Sequence, residues 1–172
     1  MSPIITSTEI DRPAVDVFGY ATDPTRFNQW QNGVVDGHMD HAGTPQVGAR
    51  CLTTRGSAGR TGRPRPQSRT SSHPEPGACT GLRMTTPFGP TVLRHTQGID
   101  GPIRATVDVT VEPLGEDRSR LTIAVDFDGH GIGKILVPLV RREAQKEMPA
   151  NLARLKEHLE TAGRRSAADP AP

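Results

Sequence analysis

The chain has 172 residues, with 21 Lys and Arg against 19 Asp and Glu, a formal net charge of +2 and an apolar fraction of only 33%. That length suits one domain with a sizeable core, and the absence of a long apolar run excludes a membrane-spanning helix as a sequence expectation. Its two cysteines, Cys51 and Cys79, show neither CxxC nor Cys/His spacing, which excludes a disulfide framework and a zinc-finger arrangement.

The N-terminal stretch MSPIITSTEIDRPAV has no basic region leading into an apolar one, so no secretory signal is read and a cytoplasmic setting is expected. Ile4 to Ile10 is rich in Ile and Thr and stops at Asp11-Arg12-Pro13, which predicts a first strand. Pro13 then opens a short helix at its first position, where a missing N–H costs nothing. Ala14, Val17, Phe18 and Ala21 give that helix one apolar stripe. Asp23-Pro24 repeats the start signal, Asp as N-cap and Pro at the first helical position. Phe27 and Trp30 lie three apart and so share a face of this second helix. Val34 to Met39 and Ala49 to Thr54 are further strand candidates.

Residues 56–97 break the pattern. These 42 residues hold six Gly, six Pro and six Arg but only eight apolar side chains, and Glu75 is their single acid, for a net charge of +5. The rest of the chain carries 15 basic and 18 acidic groups, a net of −3. A stretch so poor in apolar groups cannot offset its ordering entropy by burial, so it is expected to be loop-like or disordered. Two accounts stand: a genuine Arg/Pro/Gly-rich insertion, or a stretch translated out of frame. The abrupt borders and GC-type composition favour the second.

Beyond it the signal is strong. Ile103, Ala105, Val107, Val109 and Val111 alternate with Arg104, Thr106, Asp108 and Thr110, and Leu121, Ile123, Val125 and Phe127 alternate with Thr122, Ala124, Asp126 and Asp128. With Pro113 to Asp117 as the turn, these form an antiparallel hairpin with one apolar and one polar face. Gly129, Gly131 and Gly133 release the chain into a long helix. Ile135, Leu136, Leu139 and Val140 are expected to start its apolar face, and Met148, Leu152, Leu155 and Leu159 to continue it. Pro149 predicts a kink, or a break at the preceding residue. Residues 161–172, rich in Ala, Arg and Pro, read as a disordered tail. The order of elements predicts an α+β fold, with the last helix lying across the apolar face of an antiparallel sheet.

The chain resembles the helix-grip superfamily of START-like lipid-transfer domains and polyketide cyclase/dehydrases (the SRPBCC type). The resemblance rests on STEIDRPAVDVFGYATDPTRFNQW with its Pro24-x-x-Phe27-x-x-Trp30 spacing, on VGAR at Val47 to Arg50, on the hairpin GIDGPIRATVDVTVEPLGEDRSRLTIAVDF, and on MPANLARLKEHLE. It implies a single domain over residues 1–160, with a curved sheet wrapped around the C-terminal helix and two short helices after the first strand. Members of this family place their fourth and fifth strands where residues 56–97 lie, so the middle strands are expected to be disrupted or missing.

A sheet curved around a helix leaves a cavity between them. The expected lining is Val107, Val109, Leu121, Ile123, Val125 and Phe127 from the sheet, Leu136, Leu139 and Val140 from the helix, with Phe27 and Trp30 closing one end. The resemblance implies a small hydrophobic ligand such as a lipid, isoprenoid or polyketide, either bound and carried or turned over by a cyclase/dehydrase-type enzyme on the same scaffold. A third reading is a defective variant with no functional cavity. No catalytic group stands out, because Arg104, Asp108, Asp126 and Asp128 fall on the outward faces of the strands and Tyr20 reads as a core edge. Asp36, His38, Asp40 and His41, and Asp126, Asp128 and His130, lack a recognised metal spacing, so neither a metal nor a cofactor is expected. Arg60, Arg63, Arg65 and Arg69 are closely spaced, but Phe88 is the segment's only ring and no nucleic-acid-binding motif accompanies them, so no nucleic-acid partner is expected.

Overall fold

A computed structural model of the chain describes residues 2–39, 50–55, 75–84, 91–97 and 102–168. Ile4–Ile10 forms β1 and leads into helix α1 (Ala14–Thr22), a single 3-10 turn (Pro24–Arg26) and the one-turn α2 (Phe27–Trp30). The strands β2 (Val34–Met39), β3 (Arg50–Arg55), β4 (Glu75–Met84), β5 (Thr91–Gln97), β6 (Ile103–Pro113) and β7 (Ser119–Gly129) follow, and α3 (Gly133–Ala168) closes the chain. The seven strands make one antiparallel sheet in the order β1-β7-β6-β5-β4-β3-β2. β1 and β2, neighbours in sequence, are therefore its two edges, and the short helices carry the chain from one to the other. α3 packs on β1, β7 and β6 and touches α1 and α2. This is the expected helix-grip arrangement.

Local signals explain most of these elements. Asp23 caps the 3-10 turn, its side chain accepting from the Thr25 amide at 3.0 Å, with Pro24 in the first position. Pro13 sits one place earlier than expected, as the N-cap of α1, and its extended backbone (ψ 143°) turns the chain into the helix. The apolar stripe of α1 is as expected: Val17 and Ala21 are buried, and Ala14 and Phe18 pack against the core. β2 passes so close to the 3-10 turn that a Cβ on Gly37 would overlap the Pro24 carbonyl.

Three expectations differ from the structure. The middle strands are present: β4 pairs with β3 and β5, and β5 with β6 from Thr91↔Val111 to Gln97↔Ala105. The period-two signal is weak here because β4 carries Pro76 near its start and a register shift between Cys79 and Gly81, so alternation is lost in the sequence while the ladder continues around the irregularity. The loop or disorder expected elsewhere in 56–97, at 56–74 and 85–90, lies outside the described residues. The chain also does not fray at Thr161, since α3 continues to Ala168 through alanines and arginines, which are good helix formers. Only residues 169–172 of that expected tail lie outside the described residues. α3 runs unbroken through both Pro138 and Pro149. Both prolines are exposed, so the backbone carbonyls they leave without a helical partner can turn to water.

The core joins residues from every described layer. Ile10, Val17, Val111, Leu121 and Leu155 are fully buried, with Phe27, Trp30, Val109, Ile123, Met148, Leu152 and Leu159 around them. Polar ties hold α3 in place: Lys156 Nζ donates to the Glu9 carbonyl at 2.8 Å, and Asn151 Oδ1 accepts from the Asn32 amide at 3.0 Å.

Candidate functional site

The hairpin β6–β7 presents one apolar face to α3 because its register stacks like on like: Ala105 opposite Phe127, Val107 opposite Val125, Val109 opposite Ile123, and Val111 opposite Leu121. Burial changes along this face. Val111 and Leu121 are wholly buried, Val109 and Ile123 nearly so, whereas Val107, Val125 and Phe127 are only half-buried, though they pack against the core. The closed end lies under α1 and the second half of α3. The open end lies toward the start of β6, the end of β7 and the first half of α3.

Phe27 and Trp30 meet edge to face, with centroids 5.8 Å apart and planes at 83°, and both rings are buried in the core. The Trp30 indole N–H is buried and has no hydrogen-bond partner. α3 brings Ala144 and Met148 to the core, Val137 is buried on the same side of the helix, and Val140 is half-buried. Leu136 and Leu139, expected in the lining, are 40% and 67% exposed. At roughly 100° per residue they fall on the side of the helix away from Val137, Ala144 and Met148. The first half of α3 is apolar nearly all round, so periodicity alone does not single out the row that faces the core.

One polar residue on the inner row escaped the sequence reading. Arg141 follows Val137 by four positions, and its side chain is only 16% exposed. Its Nη2 donates to the Ser2 carbonyl at 2.6 Å, and its Nη1 lies 3.7 Å from Asp126 Oδ1. Nη1 is buried and otherwise without a hydrogen-bond partner. The signal available was positional: an arginine four places after an inner valine. Arg104 also differs from a fully solvated group, since it is half-buried and its Nε is enclosed without a partner.

The carboxylate and imidazole clusters form pairs. His38 Nδ1 lies 3.7 Å from Asp36 Oδ2, and His130 Nε2 lies 3.6 Å from Asp128 Oδ2. Asp40 and His41 lie outside the described residues. Among the described residues no three metal-ligating side chains gather at one point. Tyr20, whose hydroxyl donates to Gln29 Oε1 at 2.7 Å, has its pKa raised by burial, opposed by the charge of Arg26.

Residues 4–160 match the family model described as "Polyketide cyclase / dehydrase and lipid transport". No curated protein matches the chain. Among solved structures, the di-domain ARO/CYC BexL of the BE-7585A biosynthetic pathway is similar at 14% identity and a TM-score of 0.65, over 93% of this chain and 47% of that one. The chain thus spans about half of that di-domain protein. The Zhui aromatase/cyclase from Streptomyces sp. R1128 is similar at 12% identity and a TM-score of 0.65, over 92% and 93% of the two chains. The STAR-related lipid transfer protein from Xanthomonas axonopodis is similar at 16% identity and a TM-score of 0.64, over 90% and 84%.

Proposed function

The chain belongs to the polyketide cyclase/dehydrase and lipid-transport family, and from that premise we propose that it binds or carries a small hydrophobic molecule of lipid, isoprenoid or polyketide character between α3 and the sheet. The observation that supports this is the burial gradient on the hairpin, where Val107, Val125 and Phe127 stay half-buried beside a sealed core. Apolar groups at the mouth of a concave face gain by contact with an apolar ligand, at about 25 cal/mol per Å² removed from water. In this reading Phe27 and Trp30 close one end of the cavity, and Val109, Leu121, Ile123 and Val140 form the deeper part of its wall. The proposed setting is the cytoplasm, and no helix among the described residues is long and apolar enough to cross a membrane.

The test is titration with an environment-sensitive fatty-acid probe, read by probe emission and by the fluorescence of Trp30, the single tryptophan. Saturable binding is expected, and Phe127→Arg should abolish it while the variant, though less stable, still unfolds in one cooperative transition. Absence of saturable binding to lipid, isoprenoid and polyphenol probes alike would overturn the proposal.

Arg141 favours a second reading, an enzyme of the cyclase/dehydrase sort. A largely enclosed guanidinium can stabilise an enolate or other oxyanion as charge develops. An enzyme role predicts that Arg141→Met abolishes turnover while leaving probe affinity unchanged; equal loss of both would assign Arg141 to binding alone.

A further inference from the structure

Trp30 is only 4% exposed, and its indole N–H is enclosed with no acceptor. The ring itself is held in place. Phe27 meets it edge to face, and the turn that follows is tied to α3, where the Asn32 amide donates to Asn151 Oδ1 and Asn32 Nδ2 donates to Glu147 Oε1, both at 3.0 Å. These acceptor oxygens of α3 are thus engaged by Asn32 and do not serve the indole. A buried tryptophan N–H ordinarily has a partner, so this one marks a place where an acceptor belongs.

The chemistry of that acceptor follows from what the protein leaves unpaired. Among the described residues the buried side-chain atoms without a hydrogen-bond partner are Arg12 Nε, Trp30 Nε1, Arg104 Nε and Arg141 Nη1, and all of them are donors. A water accepting from Trp30 would bring two hydrogens of its own and find no unpaired side-chain acceptor for them. An anion would set a buried charge against a neutral donor, which does not relieve the cost of desolvating it. A neutral oxygen that only accepts, as in a ketone, ester or ether, completes the N–H and adds no unpaired group.

We propose that Trp30 selects the polar group of the ligand, its N–H donating to a neutral carbonyl or ether oxygen at the end of the cavity that Phe27 and Trp30 close. Resting on the cavity reading above, Trp30 narrows the ligand from any small hydrophobic molecule to one that carries an acceptor-only oxygen. The hairpin residues assigned to the wall, Val107, Val109, Ile123, Val125 and Phe127, are hydrocarbon and supply the apolar contact. The indole supplies orientation, as a few placed polar groups do in an apolar pocket.

The experiment uses the full chain, in which Trp30 is the single tryptophan. Nitrogen labelling therefore gives one indole signal in a proton–nitrogen correlation spectrum, and benzothienylalanine can replace tryptophan at this position alone, with sulfur in place of the N–H. The probes are tetralone and tetralin, which share a carbon skeleton and differ by one carbonyl. Tetralone at saturation should move the indole proton downfield, and tetralin should not. The ratio of the tetralone to the tetralin affinity should fall roughly tenfold in the sulfur-substituted protein, as expected for one hydrogen bond to a buried donor. The spectrum is read on the unsubstituted protein, so it decides the matter even where the substituted chain fails to fold. Binding of both probes without a tetralone-specific shift, or with an unchanged affinity ratio, would overturn the role of Trp30 and leave the cavity reading standing. Saturable binding of neither probe also overturns it, and the fatty-acid titration above then decides separately whether the cavity reading falls.

Discussion

The α-carbon of Gly133 faces the carbonyl of Pro102 so closely that a Cβ there would overlap the carbonyl oxygen. The same oxygen accepts from the His130 amide at 2.8 Å, and the Gly133 amide donates to the His130 carbonyl at 2.9 Å. The turn that aims α3 across the sheet is thus built on backbone alone.

Gly133→Ala is expected to destabilise the fold by about 2 kcal/mol or more, because backbone rather than a flexible side chain must give way. Gly131→Ala, at φ +53° with open space around it, should cost only about 1 kcal/mol. Urea unfolding of the two variants separates the effects.

The two sides of α3 make opposite predictions. Leu155 is fully buried, and Leu155→Ala should cost about 2–5 kcal/mol. Leu136→Ala, on the exposed row, should stay within about 0.5 kcal/mol of the wild type. Equal losses would show that both rows are covered.

Glu9 carries the clearest pH dependence. Its pKa is lowered, first by the hydrogen bond from Arg120 at 2.9 Å and then by the charge of Arg118. A depressed carboxylate contributes stability that is present above its unfolded pKa and lost as pH falls through its folded one. Acidification below the ordinary glutamate range should therefore lower the urea midpoint, and Glu9→Gln should flatten that part of the profile. An unchanged slope in Glu9→Gln would sink the assignment.

Trp30 shares one core with Ile10, Leu121 and Leu155. Unfolding followed by its fluorescence should therefore coincide with unfolding followed by far-ultraviolet circular dichroism, in one transition. Separate midpoints would instead fit a defective chain whose hairpin and helix lack a common core.

Sequence alone determined the elements whose signals are local. β1 and β2 have their expected bounds, the β6–β7 hairpin follows its period-two alternation, and Asp23-Pro24 starts a helical turn, because caps, turns and alternation act within a few residues. Phe27 and Trp30 came together as their spacing of three required. What only the tertiary structure decided was pairing and facing. β4 and β5 form against a composition that argues for a loop, since the backbone groups of β3 and β6 offer ladder partners whatever the side chains. Ile135, Leu136, Val137, Leu139 and Val140 make the start of α3 apolar on several sides, and only the packed structure shows Val137 buried and Leu136 and Leu139 exposed. A helix with apolar groups all round has no preferred face of its own; its orientation is set by the surface it packs on.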